Sequence, residues 1–297
     1  MLKFAPLALA AALTVGSLLA APVTVVTSLP DFAVIARAIG GDLVEVDSIV
    51  KGNRDVHSVE LLPSLMLKVR RADIYVKVGL DLDAWSRQLI DGSRNAGLVV
   101  VDPSAGIEVL QVPTFKVDAS HGDLHAYGNP HYWLDPANVR PIGEAILEGL
   151  ARVAPQHAAT FRANLDAYVK RVDAATAGWQ QRLAPFGGAQ LVSFHNSWPY
   201  FEKRFGLRVV EFLEPKPGVP PTPTHIAALQ ELLKSGRVKA ILMESYFDDR
   251  VPAMLSRTTG VPLVKVPILV GGAPGVDDQL ALFDTITREL AAALAGK

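Results

Sequence analysis

Beyond its first twenty or so residues, the chain alternates two hydrophobic rhythms. VTVVTSLPDFAVIARAIGG reads as a β-branched strand running into a helix, and DLVEVDSIV follows as a second strand by period-two alternation. The loop KGNRDVHSVELLPS leads into a helix over about 63–71, the strand ADIYVKVG, a short helix over about 85–90 and the strand GLVVVD. Strands that alternate with helices predict βαβ units and a mainly parallel sheet.

From Asn138, a residue suited to open a helix, the pattern becomes purely helical. Ile142, Ile146, Leu147 and Leu150 mark one helix, which breaks near Pro155. Phe161, Leu165, Val169, Val172 and Trp179 then recur at helical steps over about 25 residues, nearly 40 Å at about 1.5 Å per residue. Such a helix suits a rigid connector. After Gly187 the alternation resumes with AQLVSFH, a helix over about 198–205, LRVVEFL, the loop EPKPGVPPTPT, HIAALQELLKSG, VKAILMES, DRVPAMLSRTTG and PLVKVPIL. A helix over 277–295 closes the chain.

The fold expected is α/β, two open α/β lobes with mainly parallel sheets joined by a long rigid helix. The predicted divisions are a signal peptide at 1–21, an N-terminal lobe at 22–137, an interlobe helical segment at 138–184 and a C-terminal lobe at 185–297. Ligands of open α/β sheets bind at the carboxyl ends of the strands, so the interlobe cleft is the expected site.

Composition narrows the class. MLKFAPLALAAALTVGSLLAAP sets Lys3 before an apolar run and small residues at Ala20 and Ala21, the layout of a secretory signal with cleavage after one of those alanines. The 297 residues include no cysteine, which removes disulfides, thiolate ligands and a lipid-acceptor residue. The expected location is therefore the periplasm, without a lipid anchor. A net charge of -1, spread along the chain, leaves no footprint for nucleic acid.

Three of the seven histidines lie where strands give way to loops or where a loop begins a helix: His57 in GNRDVHSVELLPS, His131 in GNPHYWLDP and His195 in LVSFHNSWPYF. Neutral imidazoles suit zinc, and three with one oxygen donor make a tetrahedral site. Each alone is as well explained as an ordinary loop or buried histidine. Their separations exclude a local finger, so only a folded cleft gathers them.

In these three segments the chain resembles the solute-binding proteins of metal-importing ABC transporters, the zinc and manganese cluster with a rigid interlobe helix. PHYWLDP carries the most specific likeness, and the resemblance covers essentially the whole mature chain. It implies that His57 and His131 come from the N-terminal lobe and His195 from the C-terminal lobe. It also implies a late aspartate as fourth ligand, but VKVPILVGGAPG has no carboxylate before Asp277. Glu244, ending the strand VKAILMES, is the candidate replacement; a water, or Glu244 orienting a ligand histidine, are the alternatives.

Asp135 and Pro136 read as a turn opening the next helix. Tyr132, Trp133, Trp198 and Tyr200 wall the site or simply pack. His121, Asp123 and His125 form a short cluster where zinc-importing relatives carry a longer histidine-rich loop, so they are read as an auxiliary site or a solvated loop. His157 and His225 receive no role.

The function expected is periplasmic capture of a divalent transition metal, Zn(2+) first and Mn(2+) second, by a monomer that delivers it to a cognate ABC permease in the membrane. A secreted zinc hydrolase is the alternative from another class, although HExxH, GxSxG and phosphate-loop motifs are absent. A metal-dependent surface adhesin would share the fold. Histidine ligation also predicts binding that weakens below about pH 6.5, where imidazoles take up protons.

Overall fold

The computed structural model describes residues 21–117, 125–216 and 218–296. The leader read at 1–21, apart from Ala21, and the residues His121 and Asp123 lie outside them. Among the described residues no helix is long and apolar enough to cross a membrane.

Val23–Thr27 (β1), Val44–Ser48 (β2), Ile74–Val76 (β3) and Val99–Val101 (β4) pair in the order β2-β1-β3-β4, and every pairing is parallel. Gln190–Ser193 (β5), Arg208–Phe212 (β6), Val238–Glu244 (β7) and Leu263–Val266 (β8) repeat that plan as β6-β5-β7-β8, again parallel. Helices cover such sheets, so their central strands are apolar on both faces: Val25, Ile74, Ile241 and Leu242 are fully buried. The chain order reverses beside β1 in one sheet and beside β5 in the other. Crevices open at these reversals, outside the carboxyl ends of the strands.

Pro30–Gly40 (α1), Pro63–Arg70 (α2), Ser86–Ser93 (α3) and Val139–Val153 (α4) follow in the first half. Pro63 opens α2 where the missing N–H costs nothing. The third helix runs past residue 90, where the sequence pattern ends it, and at Gly92 Met66 of α2 packs within 3.0 Å of where a Cβ would stand. The second half holds Pro199–Phe205 (α6), Pro223–Lys234 (α7), Arg250–Thr259 (α8) and Gln279–Leu294 (α9). Thr222 caps α7 by accepting from the His225 N–H at 3.2 Å, and Asp278 caps α9 by accepting from the Ala281 N–H at 2.8 Å.

Ala158–Leu183 (α5) is the long connector, 26 residues and about 39 Å. Asn164, near its start, donates to the Ile39 carbonyl of α1 at 2.9 Å, and Leu165 packs where only Gly143 of α4 leaves room. Towards its other end Trp179 meets Phe283 of α9 with ring centroids 5.3 Å apart, and Arg182 pairs with Asp284 at 2.8 Å. One helix thus packs against both halves, and a single apolar cluster runs continuously through residues of both sheets.

The segment after β8 stitches the halves further. Trp133 donates its Nε1–H to the Ile268 carbonyl at 2.8 Å, and the buried Asp31 accepts from the Val270 N–H at 3.2 Å. Gly52 approaches so closely that a Cβ there would stand 2.2 Å from the Val270 carbonyl oxygen, so no other residue fits without moving backbone.

Asp31 makes the first prediction. Burial pushes its carboxyl from 3.8 up to about 7, against the hydrogen bond from Val270. A folded-state value above the unfolded one means the folded protein holds the proton more tightly. Its contribution is therefore most favourable below about pH 4 and is lost as pH rises through about 7, about 1.4 kcal/mol per unit of displacement. Asp31→Asn removes that slope. In paired denaturation curves the variant gains on the parent as pH is raised from 5 to 8; a pH-independent difference contradicts the assignment.

Candidate metal centre

His57 lies in the loop between β2 and α2, His131 between β4 and α4, and His195 just past β5. All three therefore leave the carboxyl edge of a sheet, and the two edges face one another. The ring centroids stand 5.3 Å (His57 to His131), 4.9 Å (His57 to His195) and 5.4 Å (His131 to His195) apart. One donor atom from each falls within 4.8 Å of the other two, which among the described residues is the group suited to a metal ion. His131 and His195 are buried, and His57 is nearly so.

Each Nδ1 is held by an acceptor. His57 Nδ1 lies 2.8 Å from Asp55 Oδ1, His131 Nδ1 lies 3.0 Å from Asn129 Oδ1, and His195 Nδ1 lies 2.7 Å from Glu214 Oε2. With Nδ1 donating, the lone pair is left on Nε2, and the Nε2 atoms of His57 and His131 are buried with no hydrogen-bond partner. A buried nitrogen lone pair without a partner is costly unless something electrophilic meets it. This is the pattern of metal-ligating histidines, whose second nitrogen is fixed by a carboxylate or amide.

Two of these acceptors are local. The oxygens of Asp55 and Asn129 also accept the backbone N–H of the histidine two residues on, at 3.0 Å in each case, so a tight Asx turn sets both backbone and ring. Asn129 further donates Nδ2–H to the Asn196 carbonyl at 2.7 Å, linking the His131 turn to the His195 loop. Glu214 lies past β6, and its Oε2 also accepts from the Gly218 N–H at 3.0 Å. Burial pushes Asp55 up, but bonds and charge from His57 outweigh it and hold the carboxyl below its usual range.

His131 is held well below the usual 6.5 by burial, reinforced by the imidazoles of His57, His195 and His125. Its neutral form, the one that can bind a metal, is thereby favoured.

Glu244 ends β7 at the reversal beside β5, inside the fold and completely buried. Its Oε1 accepts from Trp198 Nε1 at 3.1 Å, and burial raises the carboxyl from 4.5 to about 7 against the bonds from Ser197 and Trp198. It is not one of the donors gathered with the three histidines.

His125, the described member of the short His/Asp cluster, stacks on His57 with centroids 5.5 Å apart and lies 6.4 Å from His131. Burial, then His57 and His195, lowers it to about 3.

The aromatic residues have definite work. Tyr132 donates to the Val78 carbonyl at 2.7 Å, and Tyr200 donates to the Asn129 carbonyl at 2.8 Å. Asp135 accepts from the Ala137 N–H at 2.9 Å, the turn read from sequence, and also takes a two-pronged bond from Arg204 of α6 at 2.7 and 3.0 Å. His225 bonds the Phe212 carbonyl at 2.9 Å through Nε2, a structural use.

Sequence reasoning missed Asp55, Asn129 and Glu214. The repeated Asx-X-His spacing was a usable signal for the first two; nothing local marked Glu214. Glu214→Gln keeps the shape but weakens the acceptor for His195, so zinc affinity falls about 10 to 100-fold. Competition against a chelator measures this, and parental affinity excludes the role.

The family model for "Zinc-uptake complex component A periplasmic" matches residues 25–293. The iron-binding protein YfeA of Yersinia pestis is 27% identical over 242 residues, 80% of this chain and 74% of that protein. The metal ABC transporter substrate-binding lipoprotein SloC of Streptococcus mutans is 26% identical over 247 residues, 81% of this chain and 78% of its own length. Among solved structures, ZnuA matches at a TM-score of 0.80 with 23% identity, covering 92% of this chain and 99% of that one. A zinc-bound deletion mutant of ZnuA matches at 0.78 with 25% identity, covering 92% and 98%. These relatives are substrate-binding proteins rather than enzymes, which sets the hydrolase alternative aside. The chain belongs to the zinc-uptake component A family, the periplasmic metal-binding components of metal ABC transporters.

Proposed function

We propose that the protein captures zinc, in preference to manganese, through His57, His131 and His195 and presents it to its ABC permease. The observation that carries this reading is the set of three imidazoles whose Nδ1 atoms are already committed to Asp55, Asn129 and Glu214. Their free nitrogens converge on one point before any ion arrives. Nitrogen donors favour zinc, whereas manganese prefers more oxygen. Relatives named for iron and for zinc show that family membership alone does not choose the metal, so the donor set decides. The 297 residues hold no cysteine to carry a lipid, which supports a carrier without a lipid anchor, in contrast to the lipoprotein SloC.

The test is thermal. After chelation, zinc at about 100 times its dissociation constant adds about 2.7 kcal/mol to stability, because only the folded state assembles the site. For a chain of this size that is roughly 5–10 °C in the melting temperature. Manganese at the same concentration gives a smaller shift. An unchanged melting curve with excess zinc rejects the proposal, and a larger shift with manganese reverses the metal preference.

A further inference from the structure

We infer that the imidazole of His125, and not a carboxylate, completes the metal site as its fourth donor. The inference rests on the three-histidine reading above and names the group that this reading leaves open.

The geometry can be checked against an ideal site. With zinc–nitrogen bonds of about 2.0–2.1 Å, each ring centroid lies about 3.2 Å from the ion, and tetrahedral neighbours stand about 5.2 Å apart. His57, His131 and His195, at 4.9 to 5.4 Å, occupy three such corners. His125 stands 5.5 Å from His57 and 6.4 Å from His131, up to about 1 Å beyond the tetrahedral spacing to those two rings. Its ring lies nearly parallel to that of His57, at 20°, so it flanks the corner without yet converging on it.

Its chemistry suits the fourth position. His125 Nε2 is buried and has no hydrogen-bond partner, the same condition as Nε2 of His57 and His131. Three buried imidazole nitrogens in one neighbourhood supply the donor type that a nitrogen-only shell requires. Glu244 is differently placed: its carboxylate is already engaged by hydrogen bonds from Trp198 and Ser197. The resulting four-nitrogen shell is harder for manganese to accept than three nitrogens and one oxygen, so His125 also sharpens the choice of metal.

The experiment uses the full-length mature chain loaded with zinc and, separately, with cobalt(II). Zinc K-edge absorption counts imidazoles directly; four are expected in the parent and three in His125→Ala. The cobalt visible bands shift in His125→Ala and stay as in the parent for Glu244→Gln. Zinc affinity falls at least about tenfold for His125→Ala, as loss of a donor demands, and by less than about threefold for Glu244→Gln. Three imidazoles in the parent, or parental affinity and cobalt bands in His125→Ala, overturn the inference. A Glu244→Gln variant with altered bands gives the position to the carboxylate. His131→Ala separates the two readings, since parental binding by that variant rejects the three-histidine site itself and not merely its fourth member.

Discussion

Replacing His131 with alanine ends tight zinc binding. Structural zinc sites bind with about 10–16 kcal/mol shared among four donors, so one donor accounts for roughly 3 kcal/mol, more than a hundredfold in affinity. His131 is the most exacting of the three because it is almost completely buried and its orientation is fixed twice by Asn129, once through the ring and once through the backbone. No water can replace its nitrogen without a path into that pocket. The metal-free protein should still fold, losing the packing on Trp133 and the bond to Asn129 but also one buried nitrogen without a partner. Chelator competition at pH 7, read beside an unfolding curve without metal, measures both. Affinity within about threefold of the parent would remove His131 from the site.

The largest effect on stability is expected at Trp133. Its side chain is fully buried, its ring lies 5.2 Å from His131, and its Nε1–H crosses to the Ile268 carbonyl of the other half. Truncation to alanine leaves a cavity and an unpaired carbonyl, costing about 3–5 kcal/mol. Trp133→Phe fills most of the volume and loses only the bond, so it should cost about 1–2 kcal/mol. Denaturant unfolding of the two variants separates packing from bonding. A loss below about 1 kcal/mol for the alanine variant would show that the halves do not depend on this side chain.

Much of this architecture is written in local patterns. Strand and helix rhythms identify both sheets because buried parallel strands and amphipathic helices leave short-range signatures, and Phe161 through Trp179 mark the connector by the same rule. The three histidines are visible as residues that leave strand ends. What sequence does not carry is pairing across long separations. Glu214 meets His195 from the loop after a neighbouring strand, Arg204 meets Asp135 from 69 residues away, and Gly52 is a glycine because of a loop more than 200 residues later. Glu244 shows the limit from the other side. Its place at the edge of the sheet follows from the strand pattern, but Trp198 engages the carboxylate, and no periodicity reveals such a partner.

The stitched interface bears on how a transporter can tell a loaded carrier from an empty one. A 26-residue helix packed on both halves, together with the bonds from Trp133, Asp31 and Arg204, leaves little freedom for the halves to swing, since bending that helix would break its own ladder. Such a connector favours an outline that changes little when cargo binds. News of the cargo has to be local, carried by the loops that bear His57, His125 and the Glu214–Gly218 turn. A receptor reading this protein reads the texture of a small rim, and its discrimination is limited by how firmly a single ion can freeze those few residues.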